Sequence, residues 1–135
     1  LKALGRSETL VEAWVALGHS YSQTGDHDLA VNAYMAAAQH YGRASPWPRL
    51  HLASEYLRTR QPGPAFALLT QLADSSAAGH PLVLNELAVC LAQLGNYRGA
   101  LEAADGAIAA AGSRASRAAP TLILNRVRIL LASLP

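Results

Sequence analysis

The sequence has few of the residues that cross-link a small secreted protein or build a metal site. It has a single cysteine, Cys90, which excludes an internal disulfide and fits a reducing compartment. The five histidines never recur at the i, i+4 spacing of a helical metal site. No glycine-rich phosphate loop is present. We therefore expect no metal and no cofactor, and we expect Cys90 to be a buried structural thiol on a helix.

Charge and long apolar runs are also scarce. Charged residues make up 15% of the 135 residues, and the net charge of +2 is too small to favour nucleic acid as a partner. No apolar run approaches the ~18 residues of a membrane span, so we expect no membrane association. The sequence is instead 51% apolar. Roughly a fifth of it is alanine, a composition that favours closely packed helices.

The stretch 14–37 shows how such helices pair. Its pattern residues recur at helical spacing on either side of a turn at Gly25-Asp26. On the first helix the pattern residues are Trp14, Leu17, Gly18 and Tyr21. On the second helix they are Ala30, Tyr34 and Ala37. Small Gly18 and Ala30 allow the two backbones to approach, while the aromatic rings fill the space around them.

The same pattern returns at a period of 35 residues. The corresponding places hold Leu52, Ala53, Tyr56, Ala65 and Leu69, and then Leu87, Ala88, Leu91, Ala100 and Ala107. Predicted turns are 61–64 and 95–96, and we set the repeats at about 11–44, 46–79 and 81–114. A partial repeat follows at 121–135, after a segment at 112–119 that we expect to be a mobile loop. Residues 1–10 are expected to contain a helix break at Gly5 and a helix cap at Ser7 or Thr9.

This pattern resembles the tetratricopeptide repeat (TPR), a helix–turn–helix unit with the signature W-x2-L-G-x2-Y followed by A-x3-F. The resemblance implies an all-α fold, an α-α superhelix of about three and a half repeats. Residues 1–135 would then form a single TPR segment. Because the chain begins in mid-pattern and stops just after a helix, we expect it to be an excerpt of a longer solenoid.

Two short motifs suggest chemistry but fit a helix better. The stretch 18–22, GHSYS, approximates the G-x-S-x-G elbow of hydrolases around Ser20, yet it lacks the final glycine and the strand-to-helix turn. Asp26-His27-Asp28 opens a predicted helix, where carboxylates complement the helix dipole. We therefore predict that the chain is not an enzyme.

A solenoid of this type has a concave groove lined by the first helix of each repeat. On the TPR pattern, amides, imidazoles, hydroxyls and apolar groups point into it, a mixture suited to an extended peptide or a helix. These candidates are Val15, His19, Ser22 and Gln23, then Leu50, His51, Ser54 and Arg58, then Asn85, Glu86, Val89 and Gln93, and finally Asn125. Any one of them can instead be a solvated residue. Trp47, between two prolines, is either a packing anchor or an exposed contact.

Electrostatics disfavours one known class of TPR ligand. Domains that capture the acidic tails of heat-shock chaperones place lysine, asparagine and arginine at groove positions that here hold Val15, His19, Leu82 and Glu86. The Glu86 carboxylate would repel such a ligand, and there is no cationic clamp to offset the repulsion.

Beyond the generic repeat, the sequence resembles the cell-division-cycle-sixteen type of TPR subunit of the anaphase-promoting complex (cyclosome), over roughly residues 11–131. Gly18-His19-Ser20, His27-Asp28 and Asn85-Glu86-Leu87 are the more specific matches, because the repeat consensus does not require them. There are departures, since Ala53 and Ala88 replace the usual glycine and Arg128 stands where a small residue is expected.

This resemblance implies a non-catalytic scaffold in a multisubunit cell-cycle ubiquitin ligase, in the nucleus and cytoplasm. In that family the groove encloses the N-terminal segment of a very small companion subunit. His19, Asn85 and Glu86 match groove-facing motif positions and are the first choices for partner contacts. Related TPR subunits of the same complex, and a generic TPR adaptor with another peptide ligand, are the alternatives.

Overall fold

The structure is a computed structural model that describes residues 2–41, 45–112 and 119–135. Within these ranges the chain is helical and has no strand. The seven helices are α1 (Lys2–Gln23), α2 (His27–Tyr41), α3 (Trp47–Arg58), α4 (Pro62–Ala73), α5 (Pro81–Gln93), α6 (Tyr97–Ala111) and α7 (Ala119–Ala132). The all-α prediction is therefore confirmed. The loop predicted at 112–119 falls largely outside the described residues.

The helices stack serially, and the stack is curved. Each helix packs on the next one along the chain. The odd-numbered helices also contact one another in turn, α1 with α3, α3 with α5 and α5 with α7. In the described part of the chain, α2, α4 and α6 make no contact with one another. The odd-numbered helices therefore lie closer together than the even-numbered ones, which places them on the inner face of the curve. The first helix of each repeat lines the groove, as the repeat pattern predicts.

The first helix of each of the three complete repeats ends in the same backbone turn. An amide beyond the helix donates to the carbonyl five residues earlier, and the residue before that amide is left-handed, which together define a Schellman motif. The bonds run from Asp26 to Tyr21 (2.9 Å), from Gln61 to Tyr56 (2.8 Å) and from Asn96 to Leu91 (2.9 Å). The left-handed residues are Gly25 (φ 84°), Arg60 (φ 61°) and Gly95 (φ 85°). A glycine holds this place in the first and third turns, and an arginine holds it in the second.

One helix break that the sequence suggested is absent, and one predicted turn lies earlier in the chain than expected. Helix α1 passes through Gly5, Ser7 and Thr9 without interruption, because one glycine lowers helix stability by only about 1 kcal/mol. The proline-rich stretch at 61–64 does not form the turn itself, since α4 begins at Pro62. Proline fits the first turn of a helix, where its missing N–H would have no partner in any case.

Burial at equivalent positions shows that each repeat depends on its neighbour. Leu17 is 40% exposed, whereas Leu52, its equivalent, is 4% exposed because it packs with Tyr34 of the preceding pair. No described helix takes that place before α1. Trp14 is also 37% exposed, whereas Tyr34 is 3% exposed and its ring lies against Gly18 in the space between α1 and α2.

The apolar core continues through the junctions between helix pairs. One cluster joins the second pair to α5 and includes Leu69, Leu72 and Cys90. Cys90 is fully buried, and its thiol donates to the Pro62 carbonyl at 3.3 Å, which confirms the structural role predicted for it. Burial, and then the nearby Glu86 charge, raise the pKa of this thiol. Among the helices described, none combines the length and the hydropathy of a membrane span.

We predict that Gly18→Ala destabilises the chain, whereas Gly106→Ala does not. A Cβ atom at Gly18 would lie 2.4 Å from Cε1 of Tyr34, so the ring or the helix must shift, at a cost of about 1–3 kcal/mol. A Cβ atom at Gly106 meets ordinary van der Waals contact, 3.7 Å from a Leu84 methyl, and alanine favours the helix by up to about 1 kcal/mol. Urea unfolding of both variants measures the difference. Equal stability of the two variants would contradict the packing role of Gly18.

Candidate binding groove

A cleft of about 210 Å³ opens between α1 and α3 on the inner face of the stack. We call it the first cleft. Six predicted groove residues line it, together with two that were not predicted to face the groove. The six are His19, Ser22, Gln23, His51, Ser54 and Arg58, and the other two are Tyr34 and Glu55.

A buried carboxylate, Glu55, organises one side of the first cleft. The residue is 2% exposed, and each of its oxygens has its own partner. Ser22 Oγ donates to Oε1 at 2.7 Å, and His27 Nδ1 pairs with Oε2. Arg58 Nη1 donates to Ser22 Oγ at 2.9 Å. A carboxylate can be buried here because both oxygens are bonded, and the resulting network fastens α1, α2 and α3 together.

Sequence reasoning did not assign this role to Glu55 or His27. Helix α2 does begin at His27 with Asp28 in its first turn, as predicted, but the imidazole of His27 also reaches across to α3. The one available signal was that Glu55 is the only acidic residue in the stretch LHLASEYL. A charged residue at such a position needs a partner, although the sequence does not say which one.

The order of the groups in this network does not suit nucleophilic catalysis. A catalytic triad places histidine between the serine and the carboxylate, so that the imidazole takes the serine proton. Here the Glu55 carboxylate lies between Ser22 and His27. Ser20, the serine of the elbow-like motif, lies inside α1 rather than at a strand-to-helix turn. The arrangement is suited to holding side chains in place.

Three aromatic side chains form the other side of the first cleft. The Tyr34 hydroxyl and His19 Nδ1 share a hydrogen bond of 2.6 Å. The His51 ring stacks on Tyr34 at a centroid distance of 5.7 Å and meets His19 edge-on at 4.7 Å. Burial, and then the nearby His19, lower the pKa of His51. Burial and the Glu55 charge raise the pKa of Tyr34, so both groups are neutral near pH 7.

Glu86 adds a third-repeat side chain to the same region. Its carboxyl group hydrogen-bonds the Ser54 side chain and lies near the Arg58 charge. Burial nevertheless raises the pKa of Glu86, because desolvation outweighs both of these stabilising effects.

Other predicted groove residues lie elsewhere. Leu50 is 5% exposed and belongs to the apolar core, so its assignment to the groove is wrong. Val15 packs against the core between the first two pairs. Asn85, a first choice for partner contact, is 7% exposed and accepts a 2.8 Å hydrogen bond from Asn125 Nδ2. This bond joins α5 to α7, and it leaves Asn85 buried within the stack rather than open to a partner.

A second cleft, of about 490 Å³, lies one repeat further along the stack. The predicted residues Val89, Gln93 and Asn125 line it, with six further residues that complete its wall. These are Arg60, Ala92, Tyr97, Arg128, Ile129 and Ala132.

Away from both clefts, Trp47 is 39% exposed and its ring packs edge-on against His80 at 4.9 Å. Nowhere in the described ranges do three histidine, cysteine or acidic side chains gather in a way that could hold a metal ion.

Comparison with known proteins supports the repeat assignment. The tetratricopeptide repeat family model matches residues 11–39, which include the Gly25 turn and most of the first helix pair. The matched helix pair is a tetratricopeptide repeat, and the fold is an α-α superhelix of the TPR type. Over 97 residues, or 72% of its length, the chain is 34% identical to the human protein named Cell division cycle protein 16 homolog. The mouse protein of the same name matches to the same extent. The matched region is 15% of the length of either relative.

We predict that Glu55→Gln lowers the free energy of unfolding by about 1–3 kcal/mol, because His27 and Ser22 lose a buried charged partner. Glu102→Gln is the matched control. Glu102 pairs with Arg98 at 3.7 Å on the surface, where both side chains are exposed, so its loss should change stability by less than about 0.5 kcal/mol. Denaturant titration of both variants measures the effects. If the two variants are equally stable, the Glu55 network does not fasten the helices.

We also predict a pH-dependent contribution of His51 to stability. Since the pKa of His51 is lowered in the folded chain, the unfolded chain binds its proton first as the pH falls below about 6.5. The stability from this group is fully present above about pH 6.5 and is lost below it. His51→Phe keeps a ring against Tyr34 and should reduce the fall in thermal midpoint between about pH 7.5 and about pH 5.5.

His80→Asn is the control for this experiment. In this variant the fall in thermal midpoint at low pH should persist, because His51 is intact. Asparagine preserves the helix-capping acceptor that His80 supplies to the amide of Leu82. An unchanged fall in His51→Phe would contradict the burial of a neutral imidazole.

Proposed function

We propose that this chain is a segment of a non-catalytic TPR scaffold in a cell-cycle ubiquitin ligase of the anaphase-promoting type. In this proposal the groove holds the N-terminal segment of a small companion subunit, and the scaffold works in the nucleus and cytoplasm. The 34% identity to the cell division cycle protein 16 homologues supports the assignment to this complex. The observation that carries the binding role is the first cleft, where six side chains predicted for the groove come together.

The first cleft combines a fixed base with accessible binding groups. His19, Gln23 and Arg58 are exposed and present an imidazole, an amide and a guanidinium to a ligand. Behind them, the Glu55 network and the Tyr34 hydroxyl hold Arg58 and His19 by hydrogen bonds. Side chains that are already held lose less entropy when a ligand binds. An extended segment across α1 and α3 would thus find both donors and acceptors for its backbone.

The same geometry supports a scaffold rather than an enzyme. Glu55 lies between Ser22 and His27. Ser22 therefore donates its hydrogen bond to a carboxylate whose other oxygen is already paired with His27, and not to the imidazole that would activate a nucleophile. The function of this network in the proposal is to position α1 against α3, and thereby to set the width of the first cleft.

To test the proposal, we would purify the tagged full-length parent from cells and identify the bound subunits by mass spectrometry. The companion segment would then be titrated against the wild type and His19→Ala/Gln23→Ala. We expect ligase subunits to co-purify and the affinity of the segment to fall by about tenfold or more. The control is Gln71→Ala/Glu102→Ala, which alters exposed residues of α4 and α6 away from the cleft.

The two parts of the proposal can fail separately. Absence of ligase subunits would refute membership of the complex and leave the generic TPR adaptor. Co-purification with unchanged affinity in His19→Ala/Gln23→Ala would refute the assignment of the segment to the first cleft.

A further inference from the structure

The second cleft has its own side-chain chemistry, separate from that of the first. Arg60 lies at the end of α3, Arg128 lies on α7, and α5 contributes Val89 and Gln93. Ion pairs among the described residues involve neither arginine. Two guanidinium groups without carboxylate partners therefore border one cleft of about 490 Å³.

Arg60 holds a backbone position that favours glycine. It has φ 61° in the Schellman turn of the second repeat, where Gly25 and Gly95 stand in the turns before and after it. The Cβ atom of an L-residue is crowded in this conformation, so glycine would make the same turn without strain. The turn itself therefore does not account for an arginine at this position, and the strained backbone suggests a functional role for the Arg60 side chain.

Arg128 is the second substitution of a small residue by arginine at this cleft. Gly18, Ala53 and Ala88 hold the equivalent place in the first three repeats, and all three are buried. Arg128 is exposed and lies at the border of the second cleft. Both departures from the repeat pattern thus bring positive charge to the same wall.

A buried acceptor in the same cleft lacks a donor. Gln93 Nε2 donates to the Leu57 carbonyl at 2.9 Å, which fixes the amide, while Oε1 is buried and has no partner. Buried polar atoms are nearly always hydrogen-bonded, so this atom indicates a missing donor. Beside it, half-buried Val89 and exposed Ala132 provide an apolar surface.

We propose that the second cleft recognises an acidic side chain, next to an apolar one, in an extended segment of a partner protein. The carboxylate would pair with Arg60 and Arg128, a backbone N–H would donate to Gln93 Oε1, and the apolar side chain would cover Val89 and Ala132. An inorganic anion would leave the apolar surface and the amide acceptor unused. The inference rests on the proposed role of the groove in peptide binding, and not on the identity of the complex.

The test uses two labelled, end-capped peptides and fluorescence anisotropy on the full chain. In one peptide aspartate and glutamate alternate with leucine, and in the other asparagine and glutamine replace the acids. We expect the acidic peptide to bind about tenfold more tightly or better, and we expect added salt to reduce that preference. Arg60→Gln and Arg128→Gln should each weaken binding of the acidic peptide about fivefold or more and leave the amide peptide unchanged.

Two further variants distinguish recognition from a structural role. Arg60→Gly should raise the thermal midpoint, by roughly a few degrees, because it relieves the left-handed conformation, while it weakens binding of the acidic peptide. Arg98→Gln removes an exposed arginine of α6 that does not line the cleft, and it should bind like the wild type.

Equal affinity for the acidic and amide peptides would overturn the inference, as would unchanged binding in Arg60→Gln and Arg128→Gln. Suppose that His19→Ala/Gln23→Ala loses binding of the companion segment but the chain binds the acidic and amide peptides equally well. That result would refute this inference and leave the proposed function intact. An acidic preference that depends on Arg60, in a chain that co-purifies with no ligase subunit, refutes only the assignment to that complex.

Discussion

Close approach of two helices at a small residue is the contact on which the rest of this structure depends. Gly18 lies against the Tyr34 ring with no room for a Cβ atom, and Ala53 and Ala88 hold the same place without exposed surface in the next two repeats. Each pair formed in this way has one apolar face left over. The neighbouring pair covers that face, as the difference between Leu17 and Leu52 shows. The curvature follows, because the odd-numbered helices contact one another and the even-numbered ones do not.

That curvature determines which polar groups can meet. Residues 33 and 36 positions apart, Ser22 with Glu55 and Ser22 with Arg58, become hydrogen-bond partners because α1 and α3 lie side by side. The buried Glu55 carboxylate is tolerated only while its partners on α1 and α2 remain in place. The polar network and the apolar core therefore depend on each other. The first cleft is the surface that this network leaves open, while the second cleft lies where two arginines replace small residues.

Much of the first cleft was predictable, and the failures of the prediction have identifiable causes. Helical spacing placed His19, Ser22, His51, Ser54 and Arg58 on one face, and all five line this cleft, since a period of 3.6 residues determines the direction of a side chain from its helix. The same reasoning failed for Leu50 and Asn85. The direction of a side chain from its helix axis does not reveal what lies opposite it. Leu50 packs into a core cluster, and Asn85 is hydrogen-bonded by the Asn125 amide.

The sequence alone determined the helices, their pairing and their period, because small residues, aromatic rings and turn signals are local features repeated at one spacing. It also determined that Cys90 is structural and that one arginine departs from the pattern at position 128. Tertiary structure alone decided that Glu55 joins three helices, that Asn85 and Asn125 pair, and that Arg60 and Arg128 border the same cleft. These outcomes depend on distances between residues far apart in the chain, which are set only when the repeats stack.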